Sequence, residues 1–269
     1  MEIIRSGRVH YLAPQLDTAA AATAVMGFST RHEGVSRPPY NSLNLGTNTD
    51  DSPHNVEGNR SILARTFGLT QDRLVTVRQN HGNDILVIDA PNDDLAHFLE
   101  IEADAIITNQ PGIMIGVTVA DCVPVLLLDP VKRVIGAVHA GWQGTAAQIA
   151  LQAVQGMVRL FDSRPADIRA AIGPCIGPCC YEVDQPVREG FAANDVSPWD
   201  AVAESRAPGK WQLDMALANR MQLEAAGVAG TSIKTASQCV CCHKELYFSY
   251  RRDAGETGRQ MGFITLKEA

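Results

Sequence analysis

The chain has 269 residues, with 23 Lys and Arg against 30 Asp and Glu, and a net charge of -7 excludes the basic surface that nucleic-acid binding requires. Its 45% hydrophobic and 20% charged residues are those of an ordinary globular protein long enough to bury a real core, and no apolar run approaches the roughly 20 residues of a membrane span. Met1–Val9 lacks the apolar core of a signal peptide, so the expected address is the cytoplasm, with the seven cysteines mostly reduced.

In chain order, Met1–Leu12 reads as a short strand and turn, and Ala19–Val25 as a small apolar segment leading to Gly27 and Phe28. Arg31–Thr49 is a loop rich in Gly, Pro, Ser and Asn; ordered loops of that length are uncommon and often functional. Ser52-Pro53 starts a helix with a capping hydroxyl and a proline at the first position; Val56, Leu63 and Phe67 are its buried face and Gly68 its stop. Arg73–Val77, Ile85–Ile88, Ala103–Thr108 and Ile113–Val119 read as strands. Two apolar runs follow, Val125–Leu128 and Val134–Val138, split by Asp129-Pro130. A helix after Gly-Trp-Gln-Gly places Ala150, Leu151, Val154, Val158 and Phe161 on one face, with Thr145 as its N-cap. Ile168–Ile172, Ile233–Ala236, Tyr247–Tyr250 and Met261–Leu266 are further strands, and Asp184–Ala193 and Leu213–Ala226 are helices. With no repeat and no clean linker, the reading is a single domain over residues 1–269 of the α+β (α/β) class, a mixed sheet covered by helices.

The stretch Ala120–Gly144 organises the rest. Cys122 precedes one apolar run and His139 ends the next, so a hairpin brings thiol and imidazole to one sheet edge. His81, in Gln79-Asn80-His81-Gly82, is the third candidate. Two imidazoles and a thiolate suit zinc with one tetrahedral position left open. Separations of 41 and 17 residues match no compact ligand spacing, so buried residues that merely pack explain the pattern equally well.

Eight short motifs decide more. They are Phe-Ser-Thr-Arg (28–31), Ser-Leu-Asn-Leu-Gly (42–46), Gln-Asn-His-Gly (79–82), Ala-Asp-Cys-Val-Pro (120–124), His-Ala-Gly-Trp (139–142), Ile-Gly-Pro (172–174), Phe-Ser-Tyr-Arg-Arg-Asp (248–253) and Thr-Gly-Arg (257–259). In these the chain resembles the YfiH-type family, also called the laccase-domain or purine nucleoside phosphorylase family. The resemblance implies a four-layer α/β/β/α arrangement and a catalytic zinc held by His81, Cys122 and His139. It implies phosphorolysis of adenosine, inosine and methylthioadenosine, and adenosine deamination. Copper-dependent polyphenol oxidation, with copper in the same site, and hydrolytic editing of peptidoglycan precursors are the other activities described for members. Two positions depart from the family pattern: Gln143 stands where Arg is usual, and Glu33 where Gly is usual. Losing a guanidinium there weakens the expectation of phosphate binding, since Arg grips phosphate through two bonds and Gln cannot.

The expected partners are a small-molecule nucleoside and phosphate, with neither nucleic acid nor membrane. Anion-binding candidates are Arg31, Arg251, Arg252, Arg259 and the backbone donors of Gly141–Thr145. Arg31 leads because it opens the long polar loop, which is expected to fold over the zinc. Asn44 and Gln79 can orient a base or ribose, or can tie the loop down. Asp121 can orient a ligand imidazole, shuttle a proton, or serve structure alone. A second sulfur-rich set comprises Cys175, Cys179, Cys180, Cys239, Cys241, Cys242 and His243. Cys239-x-x-Cys242 has zinc-knuckle spacing, but two loops with incidental small residues account for the set as well.

Overall fold

The computed structural model describes residues 1–90 and 95–268. Two six-stranded sheets pack face to face. The first has the spatial order Glu2–Ser6, Val9–Ala13, Ala24–Ser29, Gln260–Leu266, Met114–Val119 and Leu74–Val75. The second runs Ile233–Thr235, Arg169–Ile172, Val123–Asp129, Val134–Ala140, Ala105–Thr108 and Ile85–Ile88. Both are mixed: antiparallel pairs dominate, with one parallel pair in the first sheet and two in the second.

Strand alternation builds the layers. In Val123–Asp129, Leu126 and Leu128 face the first sheet, while Val123, Val125 and Leu127 face helices. In Met114–Val119, Ile115 and Val117 face the second sheet, and Met114 packs with Leu63 and Ala64 of the helix Pro53–Thr66. On the far side of the second sheet lie the helices Ile149–Phe161 and Met215–Ala225, burying Ala153, Val154, Met157, Ala218 and Leu223. The order is therefore helix, sheet, sheet, helices. Strands buried on both faces need apolar residues at consecutive positions, which is why Val123–Asp129 and Val134–Ala140 read as continuous runs. A full burial is worth roughly 1.5–3 kcal/mol for each large aliphatic side chain, so this sandwich dominates stability. Among the described residues no helix is long and apolar enough to cross a membrane.

Three local expectations need correction. Tyr247–Tyr250 is not a strand: Tyr247 and Phe248 are buried as plugs in a turn-rich segment, and burial alone gave the run its strand-like look. Thr145 is not a helix cap. Gly141 caps a short helix, Trp142–Ala146, and the long helix starts afresh after Gln148, whose backbone is left-handed at φ 63°. The buried face is accordingly Ile149, Ala150, Ala153, Val154 and Met157, and Val158 is 37% exposed. Ser52 does occupy the N-cap ahead of Pro53, but its hydroxyl makes no capping bond.

Candidate metal centre

His139 and Cys122 meet because of strand register. Pro124 pairs with His139 and Val123 with Ala140 in adjacent antiparallel strands. His139 has the parity of Ile135 and Ala137, and Cys122 that of Leu126 and Leu128, so both belong to the side of the sheet that faces the other sheet. His81 comes from the turn between Leu74–Val75, an edge of the first sheet, and Ile85–Ile88, an edge of the second. The three donor atoms lie within 4.8 Å of one another, and the two imidazole rings sit 4.9 Å apart at 80°. Ligand atoms on one tetrahedral zinc are about 3.3–3.8 Å apart, so small side-chain adjustments bring these three donors onto one ion. The donor set fits a metal.

Asp104 holds this geometry, and the sequence reading missed it. Its Oδ1 lies 2.6 Å from His139 Nδ1, which leaves Nε2 as the free nitrogen of the ring. The same carboxylate accepts the backbone N–H groups of Asn80, His81 and Gly82 at 3.3, 3.1 and 2.7 Å. His81 is left-handed at φ 64°, a conformation costing about 1–2 kcal/mol for a residue with a side chain, and these bonds fix it. One fully buried carboxylate thus positions two of the three donors. Burial works to raise its pKa, but His139 and the turn's N–H groups outweigh burial and hold it below the usual carboxylate value. An acid leading into the buried strand Ala105–Thr108 was the available signal.

Burial by itself would raise the Cys122 thiol, yet the imidazoles of His139 and His81 bring it down to about 6. Burial likewise opposes charge on His139, and the Cys122 sulfur and Asp104 raise that imidazole to about 9. The metal-free pair is therefore thiolate and imidazolium at neutral pH. Gly141 must be glycine here, because a Cβ would stand 2.9 Å from His81 Cδ2 and 3.4 Å from Cys122 Sγ.

A cleft of about 500 Å³ opens over the three donors, lined also by Asn48, Gln79, Asp121, Tyr181, Tyr250, Arg251 and Arg259. Several sequence candidates have other work. Arg31 does not line the cleft. Its guanidinium donates to the carbonyls of Asn41 and Lys244 at 2.8 and 3.1 Å and stacks 4.5 Å from the Phe248 ring centre, clamping the loop to the segment behind it. The long loop reaches the cleft through Asn48 instead. Thr145 is fully buried; Asn219 donates to its hydroxyl at 3.0 Å, and Asn194 and Gln222 donate to its carbonyl. It cannot touch a ligand in the cleft.

Asn44 is also buried, and its Oδ1 accepts the backbone N–H of Arg259 at 2.8 Å. Gly46 leaves room for the Arg259 stem, since a Cβ there would fall 2.5 Å from Cγ. The Ser-Leu-Asn-Leu-Gly motif thus sets an arginine 215 positions away. Gln79 spends most of its amide on Thr118, donating to the carbonyl at 2.9 Å and accepting from the amide and hydroxyl. Asp121 sits in a bend at φ 100° rather than in a strand, and accepts from the Ser249 hydroxyl and the Arg251 amide, both at 2.6 Å. The imidazole-orienting carboxylate is Asp104, not Asp121. Arg251 stacks near Tyr181, Arg259 near Tyr250, and Arg252 is paired with Asp253. Gln143 is exposed and outside the cleft lining. Tyr181, Tyr250 and Asn48 were not singled out by sequence, although Tyr250 lies inside a quoted motif.

The fold and site define a four-layer αββα protein with a two-histidine, one-cysteine group able to hold a metal ion at the end of its sandwich. The chain belongs to the laccase-domain family, described as multi-copper polyphenol oxidoreductase laccase, which matches residues 25–267. It is similar to the purine nucleoside phosphorylase YlmD of Geobacillus stearothermophilus, with 39% identity over 260 residues and 92% of each chain covered. A purine nucleoside phosphorylase of Deinococcus radiodurans is 40% identical over 239 residues, covering 89% of this chain and 88% of the relative. The crystal structure of the Bacillus licheniformis hypothetical protein YfiH superposes with a TM-score of 0.86 at 37% identity, covering 91% of this chain and 93% of that one.

Proposed function

We propose that this chain is a zinc-dependent, cytoplasmic purine nucleoside phosphorylase that cleaves adenosine, inosine and methylthioadenosine with phosphate. The names of its relatives support the reaction. The observation that carries it is the joining, in one cleft, of the His81, Cys122 and His139 group with two arginines and two tyrosines. Nitrogen and sulfur donors of this mix suit zinc, which supplies Lewis acidity at the cleft floor when bound.

With a net charge of -7, phosphate must be drawn in by local cations. Arg259 and Arg251 take that role, while Tyr181 and Tyr250 offer ring faces to the purine. In phosphorolysis a phosphate oxygen bonds to C1′ as the C1′–N9 bond breaks, and the electron pair passes into the purine, which leaves protonated at N7. Asp121, the carboxyl group among the described residues lining the cleft, is placed to relay that proton. Burial raises its pKa, against the Ser249 hydroxyl and Arg251 amide that stabilise its charged form.

Adenosine deamination in the same cleft is a second reading. It is favoured by the His81, Cys122 and His139 set, which would hold a zinc ion able to activate water, and by Asp121 as a cleft carboxyl beside the departing ammonia. Copper-dependent phenol oxidation finds less support, because a cluster of several coppers needs many imidazoles, and among the described residues only those of His81 and His139 line the cleft.

The test is product analysis of zinc-loaded protein with nucleosides and phosphate, beside muropeptides and a phenol under oxygen. Free purine and ribose 1-phosphate are expected, and Arg259→Ala should raise the phosphate KM about tenfold or more. Turnover of muropeptide or phenol without phosphorolysis would overturn the reading.

A further inference from the structure

The second sulfur cluster survives folding. The Sγ atoms of Cys179, Cys180, Cys239 and Cys242 all lie within 4.8 Å of one another. They come from two loops, and the strands before those loops explain why they meet. Arg169–Ile172 and Ile233–Thr235 are parallel neighbours, so their chains leave the same edge of the sheet in the same direction. The parallel pairing resumes past the strands, shifted by one residue, as a bridge between Cys175 and Cys239, with Val240 N donating to the Cys175 carbonyl at 2.9 Å.

Cys242 Sγ lies 3.4 Å from Cys180 Sγ and 3.7 Å from Cys179 Sγ. Sulfurs bound to one tetrahedral zinc at about 2.3 Å are about 3.8 Å apart, whereas a disulfide requires about 2.05 Å. These two distances match thiolates around one ion, and neither matches a disulfide. Gly177 N–H donates to Cys239 Sγ at 3.2 Å, the kind of outer bond that stabilises charge on a ligand sulfur. Arg252 and Arg251 brace the same two loops through the backbone, donating to the carbonyls of Val240 and Cys180 at 2.9 and 3.4 Å. Cys175 and Cys241 fall outside the group.

We propose that Cys179, Cys180, Cys239 and Cys242 bind a second, structural zinc ion, separate from the cleft donors. It ties together two loops with little regular structure that carry Tyr181, Tyr250 and Arg251 to the cleft, and so braces one wall of it. Closing the contact between residues 179 and 242 with a metal clip also removes loop entropy from the unfolded chain. The proposal does not depend on which reaction the cleft performs, because it is read from metal content and spectra.

The experiment measures zinc per chain in the whole protein, dialysed after expression in zinc-replete medium. Wild type is expected to hold two, and Cys122→Ala, Cys239→Ser and Cys242→Ser one each. Cobalt(II) loaded into Cys122→Ala should give visible tetrahedral bands with strong thiolate-to-cobalt charge transfer, since no sulfur remains in the cleft group. Cys179 and Cys242 are exposed, yet should resist alkylation until a chelator is added. If Cys239→Ser fails to fold, the exposed Cys242→Ser and the cobalt spectrum of Cys122→Ala decide. One zinc in wild type with none in Cys122→Ala would overturn the proposal. So would a disulfide within the set in unreduced protein, or cobalt-loaded Cys122→Ala without thiolate charge transfer.

Discussion

Asp104 Oδ1 lies 2.6 Å from Nδ1 of His139, and the same carboxylate gathers three N–H groups of the turn that presents His81. Two donors from different parts of the chain thus share one orienting residue. Asp104→Asn keeps the shape and removes the charge, so zinc affinity of the cleft group should fall about 10–100-fold. Asp121→Asn, by contrast, should leave it unchanged. Competition with a chromophoric chelator measures both, and equal affinities in the wild type and Asp104→Asn would show that the carboxylate does not orient the ligands.

Arg31 gives the opposite expectation. Its bonds to Asn41 and Lys244 and its stacking on Phe248 hold the loop, not a substrate. Arg31→Ala should cost about 1–2 kcal/mol, a fall of several degrees in Tm, while kcat of the folded fraction stays within about twofold. Lost turnover at unchanged Tm would restore it to the reaction.

Cys122 offers a pH signature. Its thiol is lowered to about 6, so in metal-stripped protein alkylation of this cysteine should rise with pH through that value and level off near neutrality. An ordinary thiol would still be rising there, with its midpoint near about 8.5. His139→Gln removes the main partner and should move the midpoint upward. Peptide mapping separates Cys122 from the other six cysteines, and a midpoint above about 8 in the unmodified chain would contradict the thiolate–imidazolium pair.

Glu33 stands at φ 66° on the surface, a left-handed position where the side chain costs about 1–2 kcal/mol. Glycine adopts that conformation freely but loses more freedom on folding. Glu33→Gly should therefore raise stability by up to about 1 kcal/mol without altering catalysis, as chemical denaturation would show. A drop in stability would mean that the side chain has a partner worth more than the strain.

Long apolar runs were legible in the sequence because strands buried on both faces need them, and Val123–Asp129 and Val134–Ala140 appeared within a residue or two of their observed limits. The three-donor group was legible from strand ends and motifs. Asp104 was not, because a carboxylate looks the same in sequence whether solvated or buried against an imidazole. Arg31, Asn44 and Thr145 misled for one shared reason: a polar residue in a motif can be kept for holding the backbone as readily as for touching a ligand. The four layers came from resemblance rather than pattern, since period-2 alternation is erased when both faces of a sheet are covered. The cluster of Cys179, Cys180, Cys239 and Cys242 required knowing that two strands whose paired residues lie 63 positions apart, such as Ala171 and Lys234, run side by side.

The strand Gln260–Leu266 sits between Ala24–Ser29 and Met114–Val119, in the interior of the first sheet, and directly follows Arg259. Without it the first sheet falls into two ribbons, one holding Glu2–Ser6, Val9–Ala13 and Ala24–Ser29 and the other Met114–Val119 and Leu74–Val75, and Arg259 loses the strand that fixes it. The strand that joins the two halves of the sheet is therefore also the one that anchors Arg259 at the cleft, so closing the sheet and placing that cation are a single event.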